Sequence, residues 1–256
     1  MASDSDSKTR FSDRVEDYVR YRPSYPADVV TTLGRECGLT ASSIIADIGA
    51  GTGILSQLFL SNGNTVYAVE PNERMRNAAV EWLGGNTTFH AVAGSAEETT
   101  LAPTSADFVI AAQAFHWFDR GRAKREFTRI LKPGGWIVLL WNDRDETGTV
   151  FAREYEQLLI TYGKDYLQVK HRNISESDIA EFFRPAEMTV RRLRNFQDFN
   201  VDGVLGRLRS SSYVPAAGER NHEEIMQAAG NLFARHQQNG LVRIEYETVM
   251  YLGRAK

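Results

Sequence analysis

The feature that most constrains this chain is a turn of alternating glycines, Asp47-Ile48-Gly49-Ala50-Gly51-Thr52-Gly53, set between an apolar run and an amphipathic one. The run before it, Ile44 to Ile48, is short, apolar and ended by glycine, the pattern of a parallel strand buried on both faces. Behind it Ile54, Leu55, Leu58 and Phe59 repeat at helical spacing. Glycine suits a sharp strand-to-helix turn where a ligand approaches the backbone with no Cβ in the way. The helix start offers unpaired N–H groups and the positive end of a dipole. In open α/β sheets such a loop lies at the carboxyl edge of the strands, where ligands bind.

A dinucleotide fingerprint places its third glycine three residues after the second. Ile54 occupies that position here, and the glycine comes one residue early, at Gly53. The departure disfavours close packing on a pyrophosphate and suits a ligand with a smaller polar end. Glu70 ends the second apolar run, 17 residues past Gly53. A carboxylate there either accepts two hydrogen bonds from a ribose diol or caps the helix that begins at Asn72.

The strand–helix alternation extends through the first half of the chain. Strands are expected at Thr65–Glu70, Thr87–Val92, Asp107–Ala112 and Trp136–Trp141, with helices from Pro26 to about Glu36, at Asn72–Leu83 and at Gly121–Leu131. Lys132 to Gly135 reads as a turn. This rhythm indicates βαβ units and a parallel sheet with right-handed crossovers. Beyond Asn142 it changes. Helices are expected at about Thr149–Tyr162, Ser175–Phe183, Asp202–Arg209 and Glu223–His236, and strands at Met188–Phe199 and Leu241–Leu252, a pair suited to an antiparallel edge. The expected organisation is one domain over 1–256. Within it are a disordered tail at 1–10, a cofactor-binding core at 11–142, a lid or substrate-side insertion with strand six at 143–240, and the last strand at 241–256.

Composition narrows the function classes. A net charge of −3 gives no general attraction to nucleic acid or to an anionic membrane. The basic clusters Arg120–Arg125 and Arg191–Arg194 lack the interleaved aromatics of a single-strand groove and read as solvated faces. Cys37 is the single cysteine, the start lacks an apolar signal region, and no run approaches the length of a membrane span, so a cytoplasmic protein is expected. Scattered histidines and the absence of any C-x-x-C or H-E-x-x-H leave no metal site. A small-molecule partner is expected, with no nucleic acid and no membrane, in a monomer or homodimer.

Ile44–Leu60 resembles the first motif of class I S-adenosylmethionine-dependent methyltransferases. Val66–Asn72 resembles their acidic second-strand motif, Gly94-Ser95-Ala96-Glu97 their adenine-binding turn, and Phe127–Gly135 the stretch leading into their fifth strand. Together these motifs cover about half the chain. The resemblance implies an α/β, doubly wound, Rossmann-like mixed sheet of seven strands, the last antiparallel between the fifth and sixth, with a helical insertion after strand five. It implies S-adenosyl-L-methionine as cofactor. Gly49, Gly51 and Gly53 would line its methionine portion, and Asp47 would hold the ammonium group directly or through water. Glu70 would bind the ribose hydroxyls, and Ser95 and the Ala96 N–H the adenine. Gln113 is a further cofactor contact. Tyr18 and Arg22 lie in a Tyr-x-x-Tyr-Arg-Pro segment similar to the N-terminal cover of small-molecule methyltransferases, trans-aconitate methyltransferases among them, and Arg22 would pair with the cofactor's carboxylate.

For chemistry, Gln113 to Phe118 follows the fourth strand and would border the methyl-donating end. His116 is the candidate base or hydrogen-bonding group, unless it only fixes its loop. Trp141 and Tyr213 are the substrate candidates, with Asn142, Arg207, Arg209 and Ser210–Ser212 as further residues able to meet a polar or acidic substrate. No proline follows the fourth strand, unlike enzymes that methylate exocyclic amines of bases. The expected function is methyl transfer to a small polar metabolite. The alternatives are an NAD(P)-binding oxidoreductase, which the glycine spacing opposes, and a non-catalytic S-adenosylmethionine-binding protein.

Overall fold

Strand β1 (Ile44–Ile48) is buried from Ile45 onward, as a strand covered on both faces must be. The computed structural model describes residues 15–167 and 174–254, so the expected tail at 1–10 lies outside the described residues. Two helices precede β1, α1 (Val15–Tyr21) and α2 (Asp28–Cys37). Then come α3 (Ile54–Ser61), β2 (Thr65–Val69), α4 (Glu73–Leu83), β3 (Phe89–Val92), β4 (Ala106–Ala112), α5 (Arg120–Ile130) and β5 (Leu131–Arg144). The remainder is α6 (Val150–Tyr162), α7 (Glu176–Phe183), β6 (Met188–Phe199), α8 (Val201–Arg209), α9 (His222–His236) and β7 (Val242–Arg254).

The strands form one seven-stranded sheet in the order β3-β2-β1-β4-β5-β7-β6. The first five are parallel, and β7 runs antiparallel to both β5 and β6. This is the expected doubly wound α/β class. From β1 the order runs outward in both directions, so the crevice between β1 and β4 is the topological switch point where such sheets bind ligands.

Alternate residues of each strand build two cores. Ala46, Ile48, Val109 and Leu139 face α5 and α7 through Phe127 and Phe182, while Ile45, Val66, Ile110 and Leu140 face α2, α3 and α4 through Leu33, Phe59 and Leu83. The insertion has a third core of its own: Leu159 on α6, Val204 and Leu208 on α8 and Ile225 on α9 pack on Val242, Ile244 and Tyr246 of β7. Helix α1, absent from the sequence expectations, packs against α8, where a Cβ on Gly206 would lie 2.1 Å from the Tyr21 ring.

Two expectations need correction. The Lys132–Gly135 turn does not precede β5 but is looped out of it. Ala106 pairs with Leu131 and Phe108 with Trp136, so the intervening residues bulge from the ladder, with Gly134 at φ +79°. Strand β5 also does not stop at Trp141, because pairing with β7 carries it on to Arg144 opposite Tyr246. Both differences come from a partner strand far away in sequence, which local hydrophobicity does not report.

Candidate functional site

The glycine loop is laid over the end of β2, with the Gly49 N–H and the Ala50 N–H both donating to the Val69 carbonyl at 2.9 and 3.2 Å. Gly49, Gly51 and Gly53 have φ of +70°, +57° and +86°, a region that side chains enter only at a cost. Gly49 and Gly53 are also sterically required. An added Cβ would stand 2.6 Å from Ala114 Cβ at the first and 2.6 Å from Leu83 Cδ1 at the second. Gly51 differs, since its Cβ would meet nothing closer than Met75 Sδ at 4.0 Å. Its open side is a cradle at the switch point.

Two buried carboxylates flank the cradle. Glu70 is 7% exposed; one of its oxygens accepts from the Gly51 N–H at 2.9 Å and the other from the Asn72 N–H at 2.8 Å. The side chain therefore ties the loop to the start of α4, and each oxygen keeps a further lone pair. Burial pushes the Glu70 carboxyl above its ordinary value, against the pull of those two N–H groups. The N-cap of α4 is Asn72, whose side chain accepts from the Met75 N–H at 3.2 Å, so Glu70 holds the capping residue rather than capping the helix itself.

Asp47 is 1% exposed at the end of β1. Its Oδ2 accepts from the Ser56 hydroxyl at 2.7 Å, while its buried Oδ1 has no partner, and neither does the buried Thr52 hydroxyl in the loop. Burial, opposed by the Ser56 hydrogen bond and assisted by the charge of Glu70, raises the Asp47 carboxyl to about 7. An orphaned buried acceptor near an open glycine is what the N–H of an ammonium group or the O–H of a hydroxyl would satisfy. On these observations the residues fit the implied cofactor.

A pH dependence follows. A carboxyl whose folded value lies above its unfolded one favours the folded state most when protonated, so Asp47's contribution is complete below its ordinary 3.8 and is lost as pH rises to about 7. Across that window stability should fall by up to about 1.4 kcal/mol per pH unit and level off above it. Melting temperatures of the ligand-free protein against pH, compared with Asp47→Asn, test this; parallel profiles for the two proteins would refute it.

The other predicted residues divide by position. Gln113 ends β4 in a left-handed conformation (φ +55°), its N–H on the Leu140 carbonyl at 2.9 Å and its side-chain amide donating to the Asn142 carbonyl at 3.1 Å. Ser95 and Ala96 follow β3; the Ser95 N–H donates to Glu98 and its hydroxyl accepts from the Glu97 N–H at 3.3 Å. Glu97 in turn accepts from the Asp119 N–H at 2.8 Å, joining this turn to the start of α5. His116 lies on a short 3₁₀ turn, Phe115–Trp117, exposed to water and in ring contact with Trp117 at 4.8 Å. Desolvation by the surrounding protein lowers its imidazole, and water reaching the ring moderates that shift. The Trp141 ring stacks edge-on against Phe115 and Tyr251, in the wall below this turn.

Tyr18 lies on α1, but its side chain is outside the described residues. Arg22 is tied to the insertion. Its Nη2 donates to the Ser210 carbonyl at 2.8 Å, next to Tyr213, within the insertion. The segment around it is pinned by side-chain amides. Asn142 and Asn195 both donate to the Ser24 carbonyl, at 3.2 and 2.7 Å, and Gln197 donates to the Arg22 carbonyl at 3.2 Å. Asn142 Oδ1 also accepts from Thr248 at 2.5 Å and Asn195 at 3.2 Å, so one buried side chain links β5, β6, β7 and the N-terminal cover. A buried asparagine in an apolar strand is the only local signal of this junction.

Arg144 and Arg207, with the tyrosines around them, make a second polar cluster next to the first. Arg144 belongs to it because pairing with β7 carries β5 past Trp141. Among the described residues there is no group of His, Cys, Asp and Glu placed to hold a metal ion, and no helix long and apolar enough to cross a membrane.

The family model described as a methyltransferase domain matches residues 46–139, which hold β1 to β5 and the glycine loop. An uncharacterized methyltransferase of Mycobacterium tuberculosis is 39% identical over 141 residues, 55% of this chain and 55% of that protein. The chain thus spans about half the length of the curated relative it matches there. Among solved structures, a putative type II methyltransferase from Anaeromyxobacter dehalogenans superposes with a TM-score of 0.67 at 24% identity, covering 92% of this chain and 98% of that one. A Haemonchus contortus phosphoethanolamine N-methyltransferase, solved in complex with S-adenosyl-L-methionine, gives a TM-score of 0.59 at 16% identity, covering 99% of this chain and 60% of that one.

Proposed function

We propose, on the premise that this chain is a member of the class I S-adenosylmethionine-dependent methyltransferase family, that it transfers a methyl group to a small polar metabolite. The observation that carries the proposal is the paired carboxylates, Asp47 with an unpartnered buried oxygen and Glu70 with spare acceptor sites, on either side of the open face of Gly51. When bound, the cofactor would supply a methyl group already activated on cationic sulfur, with a neutral thioether as the leaving group.

The chain's part is placement and exclusion of water. Asp47 takes the ammonium group, which lowers its own pKa by giving the buried charge a partner. Glu70 takes the ribose hydroxyls while it holds the loop, and the Ser95–Ala96 turn takes the adenine. Gln113, tied to the end of β5, fixes the wall near the methyl end, and His116 stands beyond it as a neutral acceptor for a hydrogen bond or proton from the substrate.

Two measurements test this. Calorimetry should show S-adenosylhomocysteine binding, abolished or strongly weakened in Glu70→Ala; NAD(P) binding in its place would reverse the assignment. Transfer of labelled methyl to a panel of acids, phenols and amines separates an enzyme from a silent binding protein. In that assay His116→Ala should lower kcat/KM by roughly tenfold or more with cofactor affinity unchanged. An unaltered kcat/KM would reduce His116 to a loop residue.

A further inference from the structure

Arg207, near the end of α8, is only 7% exposed, yet its guanidinium meets no carboxylate among the described residues. Its partners are neutral: the Ser211 hydroxyl at 2.8 Å, the Tyr246 hydroxyl at 3.3 Å and the Ser210 hydroxyl at 3.4 Å. Arg22 reaches the same place from the N-terminal cover, on the Ser210 carbonyl. Arg144 arrives from β5, paired with Glu156 and bonded to the Tyr166 hydroxyl at 3.1 Å, with its Nη1 buried and without a partner. Tyr213 lies among them. Burial pushes its phenol up, but the charges of Arg207, Arg22 and Arg144 outweigh this and hold it below its ordinary value.

Three guanidinium groups gathered from distant parts of the chain repel one another, and a buried cation without a counter-charge costs several kcal/mol. One carboxylate, Glu156, is paired within the group, with Glu146 3.9 Å from Arg144. Arg207, held by hydroxyl groups alone, is a buried charge in a place that an apolar side chain of similar size would fill at no cost to the fold. Planar guanidinium forks are the groups that recognise carboxylate and phosphate by paired hydrogen bonds. The cluster also lies toward the ligand-binding edge of the sheet. Arg144 is two residues past Asn142, whose carbonyl holds Gln113 at the end of β4, so it stands beyond the carboxyl edge that carries the glycine loop.

We propose that Arg207, Arg22, Arg144 and Tyr213 form the acceptor subsite, and that it takes a small molecule bearing an oxyanion, carboxylate or phosphate. This rests on the methyltransferase reading for the ligand's role but not for its binding. The polar metabolite is thereby an anion, with its charged end on the insertion and its nucleophile toward the cofactor cleft.

The test is calorimetric titration with citrate and with inorganic phosphate, each with and without S-adenosylhomocysteine, and with the cation choline as control. Saturable binding of citrate assigns a carboxylate ligand, of phosphate a phosphate ligand, and of both the shared chemistry. Arg207→Met should bind the anion roughly 10- to 100-fold more weakly, as expected for the loss of one or two charge-assisted hydrogen bonds. The same variant should melt no lower than wild type in the absence of anion, since an unpaired buried charge is replaced by an apolar side chain. Arg243→Met, which removes an exposed ion pair with Asp198, should leave anion binding intact. Binding of neither anion under either condition, equal anion binding by Arg207→Met, or a large loss of stability in that variant would overturn the proposal. S-adenosylhomocysteine binding by wild type and Arg207→Met is scored separately. Anion binding without cofactor binding keeps the subsite and removes the methyltransferase reading, and the reverse result removes the subsite alone.

Discussion

Gly49→Ala and Gly51→Ala should fail in different ways, the first through the fold and the second through the ligand. Both place a side chain at positive φ, a strain of about 1–2 kcal/mol. At Gly49 the new methyl also meets Ala114 Cβ at 2.6 Å, and neither group can rotate away. Overpacking of that kind costs about 1–3 kcal/mol more, so Gly49→Ala should lose roughly 2–5 kcal/mol of stability in urea unfolding. At Gly51 the nearest atom is 4.0 Å away, and stability should fall only by the strain. The methyl there occupies the cradle between Glu70 and Asp47. Affinity for S-adenosylhomocysteine should therefore fall by at least about 2 kcal/mol, roughly thirtyfold. Wild-type affinity in Gly51→Ala would mean that no ligand lies over the loop.

Glu70→Ala has the second large effect, and it is a double one. The side chain serves two backbone N–H groups as well as the expected ribose diol, and removing it strands the N–H groups of Gly51 and Asn72 in a buried place. A buried donor left unsatisfied costs about 1–3 kcal/mol, so a stability loss of roughly 2–4 kcal/mol should accompany a 10- to 100-fold loss of cofactor affinity. Glu70→Gln keeps one acceptor oxygen and turns an amide donor toward the other N–H; it should fall between wild type and the alanine variant in both measurements. Lost stability with unchanged affinity would leave Glu70 as a support for the loop and the helix start alone. Lost affinity with unchanged stability would mean that water replaces it at the two N–H groups.

The first strands and the glycine turn were legible because their signals are local. Ile44 to Ile48, the three glycines and Glu70 sit within one βαβ unit, so apolar run, turn and carboxylate can be placed by spacing alone. The late strands were legible for the same reason, since Met188–Phe199 and the last strand are long and β-branched or aromatic. What escaped depended on contacts across the chain. Lys132–Gly135 reads as a turn until Ala106 is seen to pair with Leu131. Nothing local in the sequence brings Arg22, Arg144 and Arg207 together; that takes the extension of β5 by β7 and the amides of Asn142, Asn195 and Gln197, which hold the N-terminal segment. Arg22 illustrates the difference most directly, since its hydrogen bond to the Ser210 carbonyl spans 188 residues of sequence.

The placement of β7 inside the sheet, with β6 outside it, has a consequence for how the molecule comes together. The segment from α6 to α9 leaves from one neighbour of β7 and includes the other, so β6 has no ladder to join until residues 242–254 are in position. A chain lacking that strand would keep the five parallel strands but expose the unpaired rim of β5, an invitation to stick to other chains. Closing the sheet and packing the insertion's helices on β7 are thus a single late event of long-range pairing, and that step is expected to govern how fast the protein folds.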